Sequence, residues 1–208
     1  MRKIKNLFVT LVAVCAMAPA FGQAEVAIGL KGGLNFANVD AKSATAAYNS
    51  RTGYHAGAFF LFKFTKIGIQ PEVIFSQQGT TVTVNSQNFD SNFSYLNIPI
   101  ILKLYLAGGL NLQAGPQFGF LTKATGINGY DIVTGKYTSG DIKDNFKSSD
   151  LSMALGVGWD LPFGLNIDGR YNFGLSDINN SSKSGTSDPV KNQVFQLSVG
   201  YKLFKLGN

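Results

Sequence analysis

Cysteine, histidine and charged residues are all scarce in this chain of 208 residues. A single Cys leaves no intrachain disulfide and argues against a cysteine-based metal site. Long apolar runs are also missing, which argues against helices that span a membrane. Charged residues make up 14% and hydrophobic residues 45%, a balance that argues against a disordered chain.

The first 22 residues have the three parts of a secretory signal peptide. Basic residues occupy positions 2, 3 and 5, an apolar stretch runs over 7–18, and Ala20-Phe21-Gly22 offers a cleavage site. Ala18-Pro19-Ala20 is the alternative cleavage site. The apolar stretch is too short to span a bilayer. We therefore predict a cleaved signal at residues 1–22 and one mature domain at residues 23–208.

Removal of the signal changes how the charge is interpreted. Three positive charges leave with it, so the formal net charge falls from +6 to +3. The basic composition is therefore no indication of nucleic-acid binding, and an exported chain rarely meets nucleic acid. Cys15 leaves as well; a lipid anchor on Cys15 is the weaker interpretation because Val14 is too bulky for the position before it.

Eight segments of the mature chain alternate apolar and polar residues with a period of two. They run over 26–37, 53–64, 67–78, 93–105, 109–122, 151–161, 164–175 and 193–204. Long polar connections at 38–52, 79–92, 123–150 and 176–192 alternate with short ones at 65–66, 106–108 and 162–163. This pattern predicts an all-β, eight-stranded antiparallel up-and-down transmembrane β-barrel with short periplasmic turns.

The two faces of these strands differ in size as well as in polarity. One face carries long apolar side chains, and the other carries small or polar ones with recurrent glycine. A soluble ligand-binding barrel would place the bulky apolar residues inside. Glycine on the polar face suits a crowded interior, and the strands are long enough for a tilted span. We therefore predict that the apolar face contacts lipid.

Aromatic residues lie near both ends of the strands, as interfacial girdles require. The predicted periplasmic girdle consists of Phe64, Trp159, Phe163, Tyr201 and Phe204. The predicted outer girdle includes Tyr54, Phe120 and Phe173, together with Phe36, Phe75 and Phe195. Within the strands, Pro71, Pro99 and Pro116 each remove a backbone donor, and we expect bulges there.

Four stretches also resemble a known family: GLKGGLNF at 29–36, QPEVIFSQQG at 70–79, YLNIPIILK at 95–103 and GPQFGF at 115–120. Together they make the mature chain similar to the PorT-like outer-membrane β-barrel proteins of the Bacteroidota. The resemblance implies an eight-stranded outer-membrane barrel. The namesake member is linked to protein secretion and gliding machinery, and most members have no assigned activity. No catalytic residue carries over from the resemblance.

The polar face carries eight charged residues, namely Lys31, Lys63, Glu72, Lys103, Asp160, Asp168, Arg170 and Lys202. Eight strands enclose an interior just wide enough for side chains to fill it. Charges buried there need partners. We predict an ion-paired plug, and the alternative is an ion path or a gated narrow pore.

The single histidine, His55, points inward near the outer rim by parity. Together with Ser76 or Ser94 and a carboxylate it could form a hydrolase site, as in a lipid-modifying enzyme. A structural histidine is the favoured interpretation, so we predict no catalytic residue and no enzymatic activity.

Two further motifs do not predict a binding site. The glycine-rich stretches that begin at Gly29 and Gly126 are not phosphate loops, because no helix follows either. Four aspartates in the longest loop lack a calcium-ligand spacing and are offset by lysines there: Asp131, Asp141, Asp144 and Asp150 against Lys136, Lys143 and Lys147. We therefore predict no metal and no cofactor.

These observations predict a monomeric outer-membrane protein whose rigid barrel anchors four surface loops with a structural or interaction role. The expected partners are outer-membrane lipid, lipopolysaccharide and an unidentified surface or secretion-machinery protein, and no nucleic acid. Three alternatives remain: a narrow pore, a secretion-accessory barrel, and a lipid-modifying enzyme centred on His55.

Overall fold

The computed structural model describes residues 24–41, 47–84, 87–131, 136–179 and 190–207. The predicted signal peptide lies outside these residues. The strands are β1 (Ala24–Ala41), β2 (Ala47–Phe64), β3 (Ile67–Val84), β4 (Gln87–Tyr105), β5 (Leu110–Asp131), β6 (Lys136–Asp141), β7 (Ser149–Asp160), β8 (Leu165–Gly174) and β9 (Val190–Leu206). In the part of the chain so described, no helix has the length and apolarity needed to cross a membrane.

Eight of the strands close into one antiparallel ring in the order β1, β2, β3, β4, β5, β7, β8, β9. Pairing of β9 with β1 completes the ring. The predicted all-β, eight-stranded up-and-down barrel is therefore confirmed. Closure matters in a bilayer, because only a sheet without edges pairs its backbone groups where water is absent. The extra strand, β6, pairs with the end of β5 beyond the ring.

The register of the ring sets the width of the barrel. Cross-strand partners that start at Val26 on β1 lead around the ring and return to β1 at Phe36, ten residues further along. With ~3.3 Å per residue and ~4.8 Å between strands, this stagger tilts the strands by about 40° and gives a backbone radius of roughly 8 Å. Side chains can fill an interior of that width.

The two ends of the barrel differ in their connections. We call the end with short turns the periplasmic end and the end with long hairpins the outer end, after the orientation predicted from the sequence. The turns lie between Phe64 and Ile67, between Tyr105 and Leu110, and between Asp160 and Leu165, close to the predicted positions. Three of the four polar loops predicted at the outer end, at 38–52, 79–92 and 123–150, contain long stretches of strand among their described residues. Pairing continues to Val84↔Gln87 between β3 and β4, and β5 and β6 form a ribbon that reaches Asp131↔Lys136. In water, a polar segment such as TTVTV at 80–84 can extend a sheet as readily as it forms a loop, because its threonines and valines favour strands.

The bulges expected at the prolines are not found. Pro71 pairs with Ile100 and Ile74 pairs with Asn97, so the two strands keep the same spacing across Pro71. The register is likewise unbroken across Pro99 and Pro116. The β3–β4 and β4–β5 ladders instead omit two residue pairs beside Pro71 and Pro99, which accommodates the missing donors. The register shifts lie elsewhere, for example between Ile28 and Gly29.

The outward face of the barrel is a belt of exposed apolar side chains. On β3 it runs from Ile67 to Phe75. Eight steps of ~3.3 Å at a tilt of about 40° span roughly 20 Å, close to the ~25 Å apolar band of membrane barrels. The predicted girdle residues face outward at the two ends of this belt: Phe64, Trp159, Phe163, Tyr201 and Phe204 at the periplasmic end, and Tyr54, Phe120 and the half-buried Phe173 at the outer end.

Candidate functional site

The lumen at the periplasmic end holds a cluster of paired charges. Lys202 Nζ lies 2.6 Å from Glu25 Oε1 and 3.1 Å from Asp160 Oδ2. Lys103 Nζ lies 3.1 Å from Asp160 Oδ1, and the Tyr105 hydroxyl donates to Asp160 Oδ2 at 3.0 Å. Lys63 contacts Glu25 at 3.7 Å and lies over the Tyr105 ring. The cluster ties β1, β2, β4, β7 and β9 together across the barrel.

A second charged layer lies further inside. Arg170 donates two hydrogen bonds to Glu72, from Nη1 to Oε2 at 2.9 Å and from Nη2 to Oε1 at 2.8 Å. Lys31 Nζ lies 3.0 Å from Asp168 Oδ2 and 3.4 Å from Glu72 Oε1. Gln113 donates to Asp168 at 2.6 Å. The two-pronged Arg170–Glu72 pair is the geometry in which an arginine binds a carboxylate most strongly.

All eight charged residues predicted for the polar face therefore point into the lumen, and seven of them are buried. The eighth, Lys63, is partly exposed at the periplasmic rim. Sequence reasoning missed one member, Glu25, which is 3% exposed. Because the first strand was predicted to start at Val26, Glu25 fell just outside it. Extending the period of two backward from Lys31 through Gly29 would have placed Glu25 on the inner face.

With Glu25 included, the network has five cations and four carboxylates. The excess is one positive charge rather than the two that the predicted residues alone would leave. Removing so many charges from water is costly unless each is paired and hydrogen-bonded. The dense pairing meets that requirement, and it leaves the charged half of the lumen occupied by side chains.

Glycine makes room for these side chains. A Cβ atom at Gly158 would lie 2.2 Å from Gln113 Nε2 and 2.5 Å from Asp168 Oδ1. At Gly200, it would lie 2.3 Å from Asn166 Oδ1. Both approaches are too short for a Cβ, so these two positions accept glycine alone without rearrangement. The recurrent glycine on the polar face thus follows from a crowded interior.

The outer half of the lumen contains uncharged polar groups arranged around His55. Asn35 Nδ2 faces two backbone carbonyl oxygens, Tyr54 O at 3.0 Å and Gln77 O at 2.8 Å, so it must be the donor end of the amide. Its Oδ1 therefore accepts from His55 Nδ1 at 2.8 Å. His55 Nε2 then accepts from the Ser198 hydroxyl at 2.8 Å. This assignment fixes the tautomer of the histidine from its surroundings.

Ser198, His55 and Asn35 thus lie in the order nucleophile, base and orienting group that hydrolases use. All three are buried in the lumen, with Ser198 3% exposed and Asn35 fully buried. The serines considered from sequence are placed elsewhere: the hydroxyl of Ser76 accepts from Asn35, and Ser94 faces outward.

A small apolar cluster, here called the apolar cap, lies at the outer ends of β4 and β5. Phe93 and Tyr95 on β4 and Leu121 and Ala124 on β5 pack with Ile142, which follows β6. Phe146 adds an edge-to-face contact with Phe93, with the ring centroids 5.0 Å apart. Backbone hydrogen bonds hold the segment after β6 in place, since Ile142 N donates to Ala124 O at 3.0 Å and Lys147 N to Ile178 O at 2.8 Å.

Within the described ranges, no group of three or more His, Cys, Asp or Glu residues is placed to hold a metal ion. Of the loop aspartates weighed as calcium ligands, Asp141 accepts from the backbone N–H of Lys143, and Asp150 accepts from Ser176 and Asn192. These contacts are those of ordinary turn and loop residues.

Comparison with solved structures finds outer-membrane proteins. Neisserial surface protein A (NspA) shares 11% identity with the chain, covers 85% of it and 97% of NspA itself, and superposes with a TM-score of 0.55, which shows a common fold. Ail, the attachment invasion locus protein of Yersinia pestis, solved with the heparin analogue sucrose octasulfate, shares 16% identity over 88% of this chain and 99% of its own, with a TM-score of 0.48. No curated protein matches the chain.

A family model provides the closer assignment. It matches residues 21–180, which include every strand of the ring except β9, and its description is "Outer membrane protein beta-barrel domain". The match agrees with the closed ring, the apolar outer belt and the aromatic girdles described above. The chain belongs to the outer-membrane β-barrel domain family and is an outer-membrane protein.

Proposed function

We propose that this protein is a surface-interaction protein: a rigid, sealed barrel that presents a structured outer surface to partners. The observation that carries the proposal is the network of paired charges in the lumen. Nine paired charges, from Lys202–Glu25 to Arg170–Glu72, occupy its periplasmic half. The Phe93–Ile142 cluster adds apolar packing at the outer end. An interior occupied in this way favours a function on the outside of the barrel.

The outer surface supports the same proposal. The long connections are built largely from paired strands, including the β5–β6 ribbon and the outer ends of β3 and β4. Ordered segments lose less conformational entropy on binding than mobile loops do. The partners that we propose are lipopolysaccharide and other outer-membrane lipid, with an unidentified surface protein as a further candidate. We propose a monomer, because the closed ring leaves no strand edge within the apolar belt.

The proposal includes the absence of catalysis and of steady conduction. The buried Ser198–His55–Asn35 group supports the first, since a nucleophile that is 3% exposed is out of reach of a lipid ester. The ion-paired layers support the second, because an ion would have to separate Lys31, Arg170 and their carboxylates in order to pass.

The narrower PorT-like assignment within the Bacteroidota belongs to the proposal as well. The four stretches that carry the resemblance lie on β1, β3, β4 and β5. They supply Lys31, Asn35, Glu72 and Lys103, four residues of the interior network. A secretion-accessory role follows from the resemblance alone. A secretion defect in cells that lack the protein would favour that role over surface interaction.

Conductance in planar bilayers tests the sealed lumen. Purified protein should give no steady single-channel steps at neutral pH, while a general porin added under the same conditions should. Heat-modifiability on SDS gels confirms that the inserted protein is folded. Regular steps from the wild-type chain would refute the proposal, and their loss on substitution of Lys31 or Arg170 would place the path in the lumen.

A further inference from the structure

The β2–β3 ladder is irregular near the outer end of the barrel. Pairing of these strands stops at His55↔Ser76 and resumes at Ser50↔Thr80 with a register shift. On their other sides, β2 stays paired with β1 through Gly53 and Tyr54, and β3 stays paired with β4 through Gln77 to Gly79. The two strands remain in close contact, since a Cβ at Gly53 would lie 2.1 Å from Gln77 O, so the irregularity is a local break in the residue pairing and not a gap in the wall.

Asn35 bridges the irregular stretch from the lumen side. Its amide nitrogen lies 3.0 Å from Tyr54 O and 2.8 Å from Gln77 O, so it bonds to carbonyls on both strands. Its oxygen is held by His55 and Gln196, at 2.8 and 2.9 Å. The Asn35–His55–Ser198 group thus has a clear structural role: it replaces the missing ladder contacts between β2 and β3 on the inner face.

A notch with a volume of about 190 Å³ lies at this irregular stretch, lined mainly by outward-facing residues. Its lining is Leu34, Thr52, Gly53, Tyr54, Gln77, Gln78, Gly79 and Asn92. At roughly 30 Å³ per water molecule, the notch holds about six waters. Sites for whole drug-sized ligands measure ~300–1,000 Å³, so this one suits a single ring-sized group.

The lining of the notch combines neutral polar groups with an apolar edge. Hydroxyl and amide side chains come from Thr52, Tyr54, Gln77 and Asn92, and Leu34 supplies an apolar edge. Tyr54 packs beside Phe75, with centroids 6.5 Å apart, which gives the notch an aromatic side. Among the described side chains, no lysine, arginine or carboxylate lines the notch. Neutral hydrogen-bonding groups beside an aromatic ring match the hydroxyls and the apolar face of a sugar.

We propose that this notch binds a sugar ring in the head of an outer-leaflet glycolipid. Tyr54 belongs to the outer girdle, so the notch lies where the polar heads of the outer leaflet begin. The uncharged lining disfavours a phosphate group, and its polar groups disfavour an acyl chain. The site deepens the lipid partnership of the proposed function by giving it a position on the barrel wall, separate from the extracellular strands.

Native mass spectrometry of the purified full-length barrel tests the site, with lipopolysaccharide lacking its O-chains as the probe. Thr52→Trp should fill the notch from outside and weaken retention of the probe by about tenfold, a difference of ~1.4 kcal/mol. The matched control is Ser149→Trp, which adds the same ring at an exposed position near the outer end of β7. Gln77→Ala removes an amide without adding volume and should also weaken binding. Heat-modifiability establishes folding of each variant.

Two further lipid probes identify the chemical group that is bound. Dephosphorylated probe should be retained as well as the native probe, and phosphatidylethanolamine, which has no sugar, should be insensitive to Thr52→Trp. Equal retention by wild type and Thr52→Trp, or loss of binding on dephosphorylation, would overturn the proposal. These binding measurements are independent of the conductance measurement. A negative result here would therefore refute the sugar site without refuting the proposed non-conducting lumen.

Discussion

Removing the charge of Glu72 should destabilise the barrel strongly, because Glu72 is the main counter-charge of the inner layer. Its carboxylate accepts two hydrogen bonds from Arg170, at 2.9 and 2.8 Å, and one from Gln70 at 2.7 Å. Lys31 lies 3.4 Å away. Glu72→Gln keeps the size of the side chain but leaves Arg170 and Lys31 to share Asp168.

The magnitude follows from the cost of an unpaired buried charge. Removing one partner of a buried pair typically costs ~3–5 kcal/mol, and we expect about 3 kcal/mol here because Asp168 remains as a partial substitute. Arg170→Met should cost a similar amount. The double variant should be more stable than the sum of the single effects predicts, by roughly 1–3 kcal/mol, because it removes both charges together.

Urea unfolding in lipid vesicles measures these differences. Trp159 is the only tryptophan of the chain and faces outward at the periplasmic girdle, so its fluorescence reports insertion directly. The control is Asp141→Asn, an exposed carboxylate on β6, which should change stability by less than ~0.5 kcal/mol. A Glu72→Gln effect as small as the control, or strict additivity in the double variant, would refute the ion-paired plug.

Three other substitutions probe different parts of the barrel. Gly158→Ala should lower the free energy of unfolding by ~1–3 kcal/mol through overpacking, while Gly169→Ala, whose Cβ would meet its nearest neighbour at 3.8 Å, should not; urea unfolding compares the two. Ile142→Asp should place a charge in the apolar cap and expose the segment after β6 to protease, with the barrel still heat-modifiable; unchanged cleavage would mean that the cap does not hold that segment. Trp159→Phe removes the 2.9 Å hydrogen bond to Gly108 O and should cost ~1 kcal/mol, measured by urea unfolding followed by circular dichroism because the variant lacks the fluorescent reporter; an effect near zero would assign that bond no role in holding the turn.

The sequence is sufficient to predict the ring of strands and to predict which side chains face outward and which face inward. A period of two identifies each membrane strand because lipid and lumen impose opposite demands on neighbouring residues. The segment 151–161 is a clear case, since its apolar and small residues alternate without a break. Outside the membrane that contrast disappears. The outer ends of β3 and β4 were therefore expected as loops, although they are paired strands.

The contacts between interior side chains could not be predicted from the sequence, because they depend on the register around the whole ring. Parity places Arg170 and Glu72 on the inner face, but their pairing joins residues 98 positions apart in sequence. His55 and Ser198 are 143 positions apart, and nothing local indicates that they meet. Ser76 is the cross-strand neighbour of His55, yet it bonds to Asn35 instead. Such contacts follow from the stagger of the barrel, which period-two patterning does not encode.

Pairing of β1 with β9 also constrains how the molecule can assemble. The Lys202–Glu25 bond that fastens these strands joins residues 177 positions apart. Contacts of such long range form late and slowly, since a large loop must close before they contribute. Until then, β1 and β9 each present an unpaired edge. During assembly, pairing of β1 with β9 therefore competes with aggregation through the two unpaired edges. Once the ring has closed, the Lys202–Glu25 bond stabilises the pairing of these two strands.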